Sequence, residues 1–327
     1  MPFKPTRIVS TKLEDGVGGC VWAPCCEAPR QPPAKMKPAI LSEHSRQFAH
    51  LRFAYPVVSR RSRGLSLGLN VNPDKACNFD CPYCQVDRSV APRDKLVDFD
   101  VLVREIDELL ELAVSGEIWE TPRFANTPPE LRRINDIAFA GDGEPTTYPR
   151  LGQAIQAVAD LRAKYRLPNL KLIVLTNALL LHRQDVLNAL LGLRQGGPDT
   201  YELWAKLDAG TQPWFEQMAG RNLSLQRIVD NIALCARQIE VTIQSMIPTL
   251  DGKDPGEAEM LAIAGRINEI TGAGGNIRLV QVYTTARKPS NPRIGMVEDA
   301  RLDELAESLR QRMAVPVEVY YGRHWET

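Results

Sequence analysis

Between residues 65 and 285 the chain sets down six short apolar segments with strand character: LSLGLNVN (65–72), DIAFAG (136–141), LKLIVLTN (170–177), ELWAKLDA (202–209), EVTIQSM (240–246) and NIRLVQVYTT (276–285). Helical patterns separate them. DFDVLVREIDELLELA (98–113) is amphipathic with Asp98 as its N-cap, and YPRLGQAIQAVADLRAKY (148–165) and LLLHRQDVLNALLGL obey the same rule, as do stretches near 224–237 and 256–271. Strands joined by helical crossovers are parallel and the crossovers right-handed. The fold class expected is therefore α/β, either a βα barrel, full or partial, or an open doubly wound sheet. A helix near 298–313 and the strand VEVYY form a C-terminal extension, residues 291–327, packed on the barrel.

Residues 1–55 break the pattern. GVGGCVWAPCCEAPRQPPAKMKP is rich in Gly and Pro without strand or helix periodicity, so an irregular N-terminal arm is expected there, with the barrel occupying 56–290. Lys plus Arg balances Asp plus Glu at 40 each, so no global field favours nucleic acid, a membrane or an acidic partner. No apolar run approaches the roughly 18–20 residues needed to span a bilayer. The start, MPFKPTRIVSTKLEDG, has no apolar core of the kind a signal peptide carries. The expected location is the cytoplasm, where cysteines serve as metal ligands or free thiols rather than disulfides.

Three of those cysteines crowd one loop. ACNFDCPYCQ (76–85) places Cys77, Cys81 and Cys84 in the spacing Cys-x3-Cys-x2-Cys directly after the first strand. A structural zinc site takes four Cys or His ligands, commonly as two separated pairs. Here no second CxxC exists, and the flanking histidines, His50 and His182, do not stand at ligand spacing. A disulfide would strand the third thiol. An iron–sulfur cubane takes one thiolate per iron, so three ligands leave one iron open to an exogenous chelator.

With Tyr83 before the last cysteine, the loop resembles the CxxxCxΦC signature of the radical SAM superfamily, position for position. The resemblance covers roughly residues 60–290 and implies a partial (βα)6 barrel. It also implies a 4Fe-4S cluster on Cys77, Cys81 and Cys84, with S-adenosyl-L-methionine on the open iron. Reductive cleavage there would give a 5′-deoxyadenosyl radical for hydrogen abstraction. Tyr83 takes the place of the family's aromatic beside the adenine. In AFAGDGEPT, the residues Asp142, Gly143, Glu144 and Pro145 resemble the second-strand motif that holds the cofactor's amino group; read alone, they are a tight turn ending a strand. The implied partners are a low-potential electron donor such as flavodoxin or ferredoxin, and a small-molecule or nucleoside substrate. NPDKACNFDCPYCQVDR, GDGEPT, KLDAG and QVYTTARKP are together similar to the wyosine-synthesis-like (tRNA 4-demethylwyosine synthase-like) branch, which implies a modified nucleoside. RNA stands as a partner on that likeness alone. A radical SAM activase or peptide modifier is the alternative within enzymology, and a non-catalytic zinc-binding interaction protein the alternative outside it.

Chemistry in βα barrels sits at the carboxyl ends of strands. Thr176 and Asn177 end the third strand, as cofactor ligands or as a cap for the next helix. Leu203, Ala205 and Leu207 form the outward face of the fourth, which turns Trp204, Lys206 and Asp208 inward, either as a structural pair or with Lys206 meeting a carboxylate or donating a proton. Thr242, Gln244 and Met246 are expected to face inward, with Gln244 a cofactor contact. Gln281, Tyr283 and Thr285 share a face opposite Val280 and Val282, Tyr283 as barrel filler or hydrogen donor. Arg287 and Lys288 lie past that strand, solvated or facing an anion. Cys20, Cys25 and Cys26 raise a second cluster, against which stands the divergence of adjacent cysteines. Cys235 sits in a helical, apolar setting that marks it as core. Arg60, Arg61 and Arg63 precede the first strand, as a solvated loop or a phosphate contact.

Overall fold

The computed structural model describes residues 45–322, apart from 288 and 290. Cys20, Cys25 and Cys26 lie outside them, as does Lys288. Ten strands and seven helices run in order among the described residues: β1 (Ala54–Ser59), β2 (Gly64–Leu69), α1 (Phe99–Ser115), β3 (Ile134–Phe139), α2 (Leu151–Lys164), β4 (Lys171–Thr176), α3 (Gln184–Leu191), β5 (Tyr201–Lys206), α4 (Gln212–Ala219), α5 (Leu225–Ala236), β6 (Val241–Met246), β7 (Pro248–Leu250), α6 (Gly256–Gly272), β8 (Ile277–Tyr283), β9 (Ile294–Met296), α7 (Asp299–Arg310) and β10 (Val317–Tyr320). Eight of the strands form one curled sheet in the order β1-β2-β3-β4-β5-β6-β8-β10, and β7 pairs with β9 apart from it.

From β2 to β10 every neighbouring pair in the sheet is parallel. The six strands expected from sequence are β2, β3, β4, β5, β6 and β8, and the architecture is the α/β partial barrel foreseen. VEVYY does more than pack on it. Its residues 317–320 extend the parallel sheet beside β8, with Tyr320 opposite Tyr283. β1 had no place in the six-strand pattern. It pairs antiparallel with β2 and begins at Ala54, inside the stretch expected to be irregular. Pro56 disguised it, yet an edge strand tolerates a proline whose missing N–H faces away from the ladder.

Alternation sorts the faces as expected. Leu65, Leu67 and Leu69 are fully buried beneath the helices, contributing roughly 2 kcal/mol apiece. Ser66, between them, points to the other face and bonds Asp136 of β3. Leu203, Ala205, Val280 and Val282 join the same helix-side core. α1 starts at Asp98, whose carboxylate accepts from the N–H groups of Asp100 and Val101, both at 3.1 Å. Its buried Glu105 reaches back to the N–H groups of Arg52, Phe53 and Ala54, at 2.7–3.0 Å, and so holds the lead-in to β1. α3 begins later than the sequence pattern indicated, because the Asn177 side chain accepts from Leu179 N at 3.1 Å and fixes a turn first. α4 escaped notice altogether, although Thr211 caps it, Pro213 opens it and Gly220 closes it.

Candidate active site

The cysteine loop leaves β2 at the carboxyl ends of the parallel strands and is held from two sides. On one side α4 supports it: Asp80 N donates to the Ala219 carbonyl at 2.8 Å, and Phe79 meets Phe215 edge-on at 5.9 Å. Gly220 makes this approach feasible. It has φ +63, and a Cβ there would stand 1.8 Å from the Asp80 carbonyl oxygen. On the other side lies the GDGEP turn. Glu144 N donates to the Ala76 carbonyl at 3.3 Å, and a Cβ on Gly143 would come within 1.9 Å of that same oxygen. The two loops named from sequence are thus in backbone contact.

Cys77, Cys81 and Cys84 are free and half-buried. Phe79 N lies 3.5 Å from the Cys77 sulfur, and an Arg88 guanidinium nitrogen 3.4 Å from that of Cys84. Burial pushes the Cys77 thiol up and takes that of Cys81 to about 12, so neither deprotonates near neutrality on its own; the charge of bound iron would do it. Among the described residues no three His, Cys, Asp or Glu side chains are drawn together to hold a single metal ion. A cubane asks for something else, one thiolate at each of three separate irons. His50 bonds Glu108 and His182 bonds the Leu179 carbonyl, so neither joins the loop. Two buried polar atoms near it have no protein partner, Asn78 Nδ2 and Asn72 Oδ1. Donors, exposure and orphaned polar atoms fit a cluster on these cysteines with a polar ligand beside it.

The acids of GDGEP are already engaged. Asp142 pairs with Arg46 and accepts from Asn70 Nδ2 at 2.6 Å. Glu144 is buried and accepts from Thr146 Oγ1 and Thr176 Oγ1, both at 2.6 Å, and from Asn177 N at 2.8 Å. Burial raises its pKa against the pull of those bonds. It ties the ends of β3 and β4 into one platform, and it brings Thr176 and Asn177 to the cysteine loop, where Asn177 Nδ2 also meets Asn78. Pro145 opens the short helical turn beyond it.

Deeper in the concave face, Lys206 stands 3.1 Å from Asp208 and 2.7 Å from the Tyr283 hydroxyl. Its ammonium also lies over the rings of Tyr83 and Tyr283, at 5.0 and 5.2 Å. Tyr83 donates its hydroxyl to Asp208, and Met246 N donates to the same carboxylate at 2.8 Å. Burial opposes the charge of Lys206, but Asp208 and Tyr283 outweigh it and its pKa is raised. A lysine that holds its proton so firmly is a fixed cation, not a ready acid. The network joins the cysteine loop to β5, β6 and β8. Gln244 is fully buried and donates to Gln281 at 2.7 Å. Thr285 is buried with an unpartnered hydroxyl, and Cys235 lies in the core under α5 as foreseen.

Of the arginines read from sequence as a solvated loop or a phosphate contact, Arg61 is half-exposed and turned inward: Nη1 donates to Gln244 Oε1 at 3.1 Å. The two residues are 183 positions apart, and no local signal links them.

No helix among the described residues is long and apolar enough to cross a membrane. A protein of Brachyspira hyodysenteriae named GTPase Obg is 23% identical over 266 residues, covering 81% of this chain and 34% of that protein. UPF0026 proteins of Methanocaldococcus jannaschii and Helicobacter pylori are each 29% identical, over 139 and 138 residues, covering 42% and 41% of this chain and 36% and 37% of theirs. The chain therefore spans about a third of the length of the curated relatives it matches. Among solved structures, one of TYW1 with a lysine-pyruvate adduct bound aligns with a TM-score of 0.47 at 15% identity, over 77% of this chain and 74% of that one. An archaeal TYW1 structure gives 0.42 at 14%, over 76% and 72%. The model of the Radical SAM superfamily matches residues 71–264, more than half of the chain and the whole stretch from the cysteine loop to α6. The chain belongs to the radical SAM superfamily, enzymes that work with a 4Fe-4S cluster and S-adenosylmethionine.

Proposed function

We propose that Cys77, Cys81 and Cys84 hold the cluster and that the chain carries out hydrogen abstraction on a substrate lodged against Lys206, Asp208 and Tyr283. The observation that supports this best is the backbone contact between the cysteine loop and the GDGEP turn, two features far apart in sequence that the reaction needs side by side. Cys77, Cys81 and Cys84 would hold the cluster, which with S-adenosylmethionine would supply the one-electron reduction that starts the hydrogen abstraction. The chain's own residues do the rest. The Gly143 backbone, next to Asp142, Glu144 and Pro145, lines the cofactor's place, with Thr176, Asn177 and Tyr83 around it. Asn72 Oδ1 and Asn78 Nδ2 are the unpaired polar atoms a polar cofactor would satisfy. Gln244 lies further in, braced by Gln281 and Arg61. The Lys206–Asp208–Tyr83 chain orients what enters the barrel and links its position to the loop that carries the cluster.

A reductant of low potential, flavodoxin or ferredoxin in type, completes the reaction, and a reducing cytoplasm suits free thiols and a cluster. For the substrate we favour a modified nucleoside, on the likeness of the cysteine loop, GDGEPT, KLDAG and QVYTTARKP to the wyosine-synthesis-like branch. The test is anaerobic reconstitution. About four iron and four sulfide per chain are expected, with 5′-deoxyadenosine formed under strong reductant, and both lost in Cys81→Ala. One zinc per chain with no sulfide and no cleavage would overturn the reading. Nucleoside profiles of RNA from cells with and without the protein then test the substrate class.

A further inference from the structure

The run SRRSRG enters the proposed chemistry only where Arg61 braces Gln244, and it is half-buried rather than fully solvated. It forms the turn of the β1–β2 hairpin. Arg60 crosses to the other edge of the sheet, where its guanidinium donates to the Tyr321 carbonyl just beyond β10. Arg61 turns onto the concave face. Its guanidinium carbon is 5.1 Å from the ring centres of both Trp204 and Tyr283, and it uses one of its N–H donors on Gln244. Tyr283 accepts from Lys206, and its own O–H has no acceptor among the described residues.

Arg60, Arg61 and Lys206 all lie near Tyr283, and among the described residues no acid on that face bonds either arginine. Asp208 serves Lys206, Tyr83 and Met246 N, Glu202 takes Lys171 and Trp204, Glu318 accepts from Tyr320, and Asp136 accepts from Ser66 with its second oxygen unpartnered. Neither Arg60 nor Arg61 forms an ion pair among the described residues. Burial, with Arg61 and Arg287 close by, pushes the Arg60 guanidinium down to about 10. Half-buried guanidinium groups set against aromatic and amide side chains gain from a counter-charge. A hairpin turn at a sheet edge could have left both in water at no cost to the strands. Arg61 spends one N–H on Gln244 and has its guanidinium carbon 5.1 Å from two rings, and the planar fork of its other donors suits a planar or tetrahedral oxyanion.

We propose that Arg60, Arg61 and the Lys206–Tyr283 pair form a site for an oxyanion on the substrate, a carboxylate or a phosphate monoester, on the inner wall between the hairpin turn and strands β5, β6 and β8. The assignment of that anion to the substrate rests on the function proposed above. The site itself rests only on the side chains named.

The test titrates the reconstituted full chain with sodium phosphate and, separately, sodium acetate, at constant ionic strength against chloride. At least one saturates. Saturation by phosphate alone assigns a phosphate ester, by acetate alone a carboxylate, and by both the shared chemistry. Arg60→Gln and Arg61→Gln each weaken binding by about tenfold or more, and Arg63→Gln, from the same turn, leaves it unchanged. Saturation by neither anion, or equal binding in the variants, overturns the proposal. Displacement of the probe by S-adenosylmethionine gives the oxyanion to the cofactor and overturns the substrate assignment. Should a variant fold poorly, the wild-type chain decides: bound anion slows phenylglyoxal capture of Arg61, read by mass spectrometry, and equal capture with and without anion refutes the site. Reductive cleavage of S-adenosylmethionine by the wild type is measured apart. A chain that cleaves but binds no anion loses this site and keeps its function. A chain that binds anion but never cleaves keeps the site and loses the function.

Discussion

Asp136 and Asp208 show how one residue type acquires two characters on one inner face. Asp208 has Lys206 at 3.1 Å and a backbone N–H at 2.8 Å. Asp136 is also buried, but its bonds come from serine hydroxyls, and its second oxygen has no partner. Burial dominates and takes Asp136 up to about 6, helped by Glu202 and resisted by Ser62, Ser66 and Lys171. A folded-state pKa above the unfolded one means that the native chain holds the proton more tightly. Its stabilising effect is full below the unfolded value of 3.8 and is lost as pH rises through about 6. Asp136→Asn removes that dependence. The stability of wild type minus variant should fall by roughly 2–3 kcal/mol between about pH 4 and pH 7. Urea unfolding at a series of pH values measures it, and a flat difference would refute the account.

At the scale of elements, the cysteine loop depends on a helix that the sequence pattern did not disclose. α4 is short, and its role appears only where Gly220 and Ala219 meet Asp80. Gly220→Ala puts a methyl 1.8 Å from a backbone oxygen and forces a side chain into φ +63. The expected outcome is a loss of about 1–3 kcal/mol and a lower iron content after reconstitution, although no ligand is touched. Unchanged iron and stability would show that the loop does not need α4. What was legible in the sequence was local. The spacing of Cys77, Cys81 and Cys84 lies within one loop, the alternation of β5 sends Lys206 and Asp208 inward, and the Gly-acid turn after β3 ends a strand. What was not legible depends on distant chain. Pro56 hid an edge strand, Glu144 has its partners on β4 and the turn after it, and Arg61 finds Gln244 across the sheet.

Taken whole, the molecule keeps most of what makes it stable away from the cysteine loop. The main apolar core runs from Leu51 to Leu309 on the helix side of the sheet, while the smaller cluster of Tyr83, Met218, Met246, Tyr283, Ile294 and Tyr320 lines the concave side. Both touch the cysteine loop, the first through Phe79, Cys77 and Cys81 and the second through Tyr83 and Cys81. Most of the first core lies far from that loop, so removing iron should leave the barrel folded. A structural zinc domain behaves otherwise, since its metal-binding energy is its folding energy. Anaerobic chelation of the reconstituted chain is expected to keep the far-ultraviolet circular dichroism and a cooperative thermal transition. Faster hydrogen exchange should be confined to the loop after β2 and the GDGEP turn that backs it. The contacts of Asp80 with Ala219 and of Glu144 with Ala76 would limit how far that loosening spreads, since neither involves a sulfur. Loss of the whole transition on chelation would mean that the three cysteines carry the fold, which the two-sided core argues against.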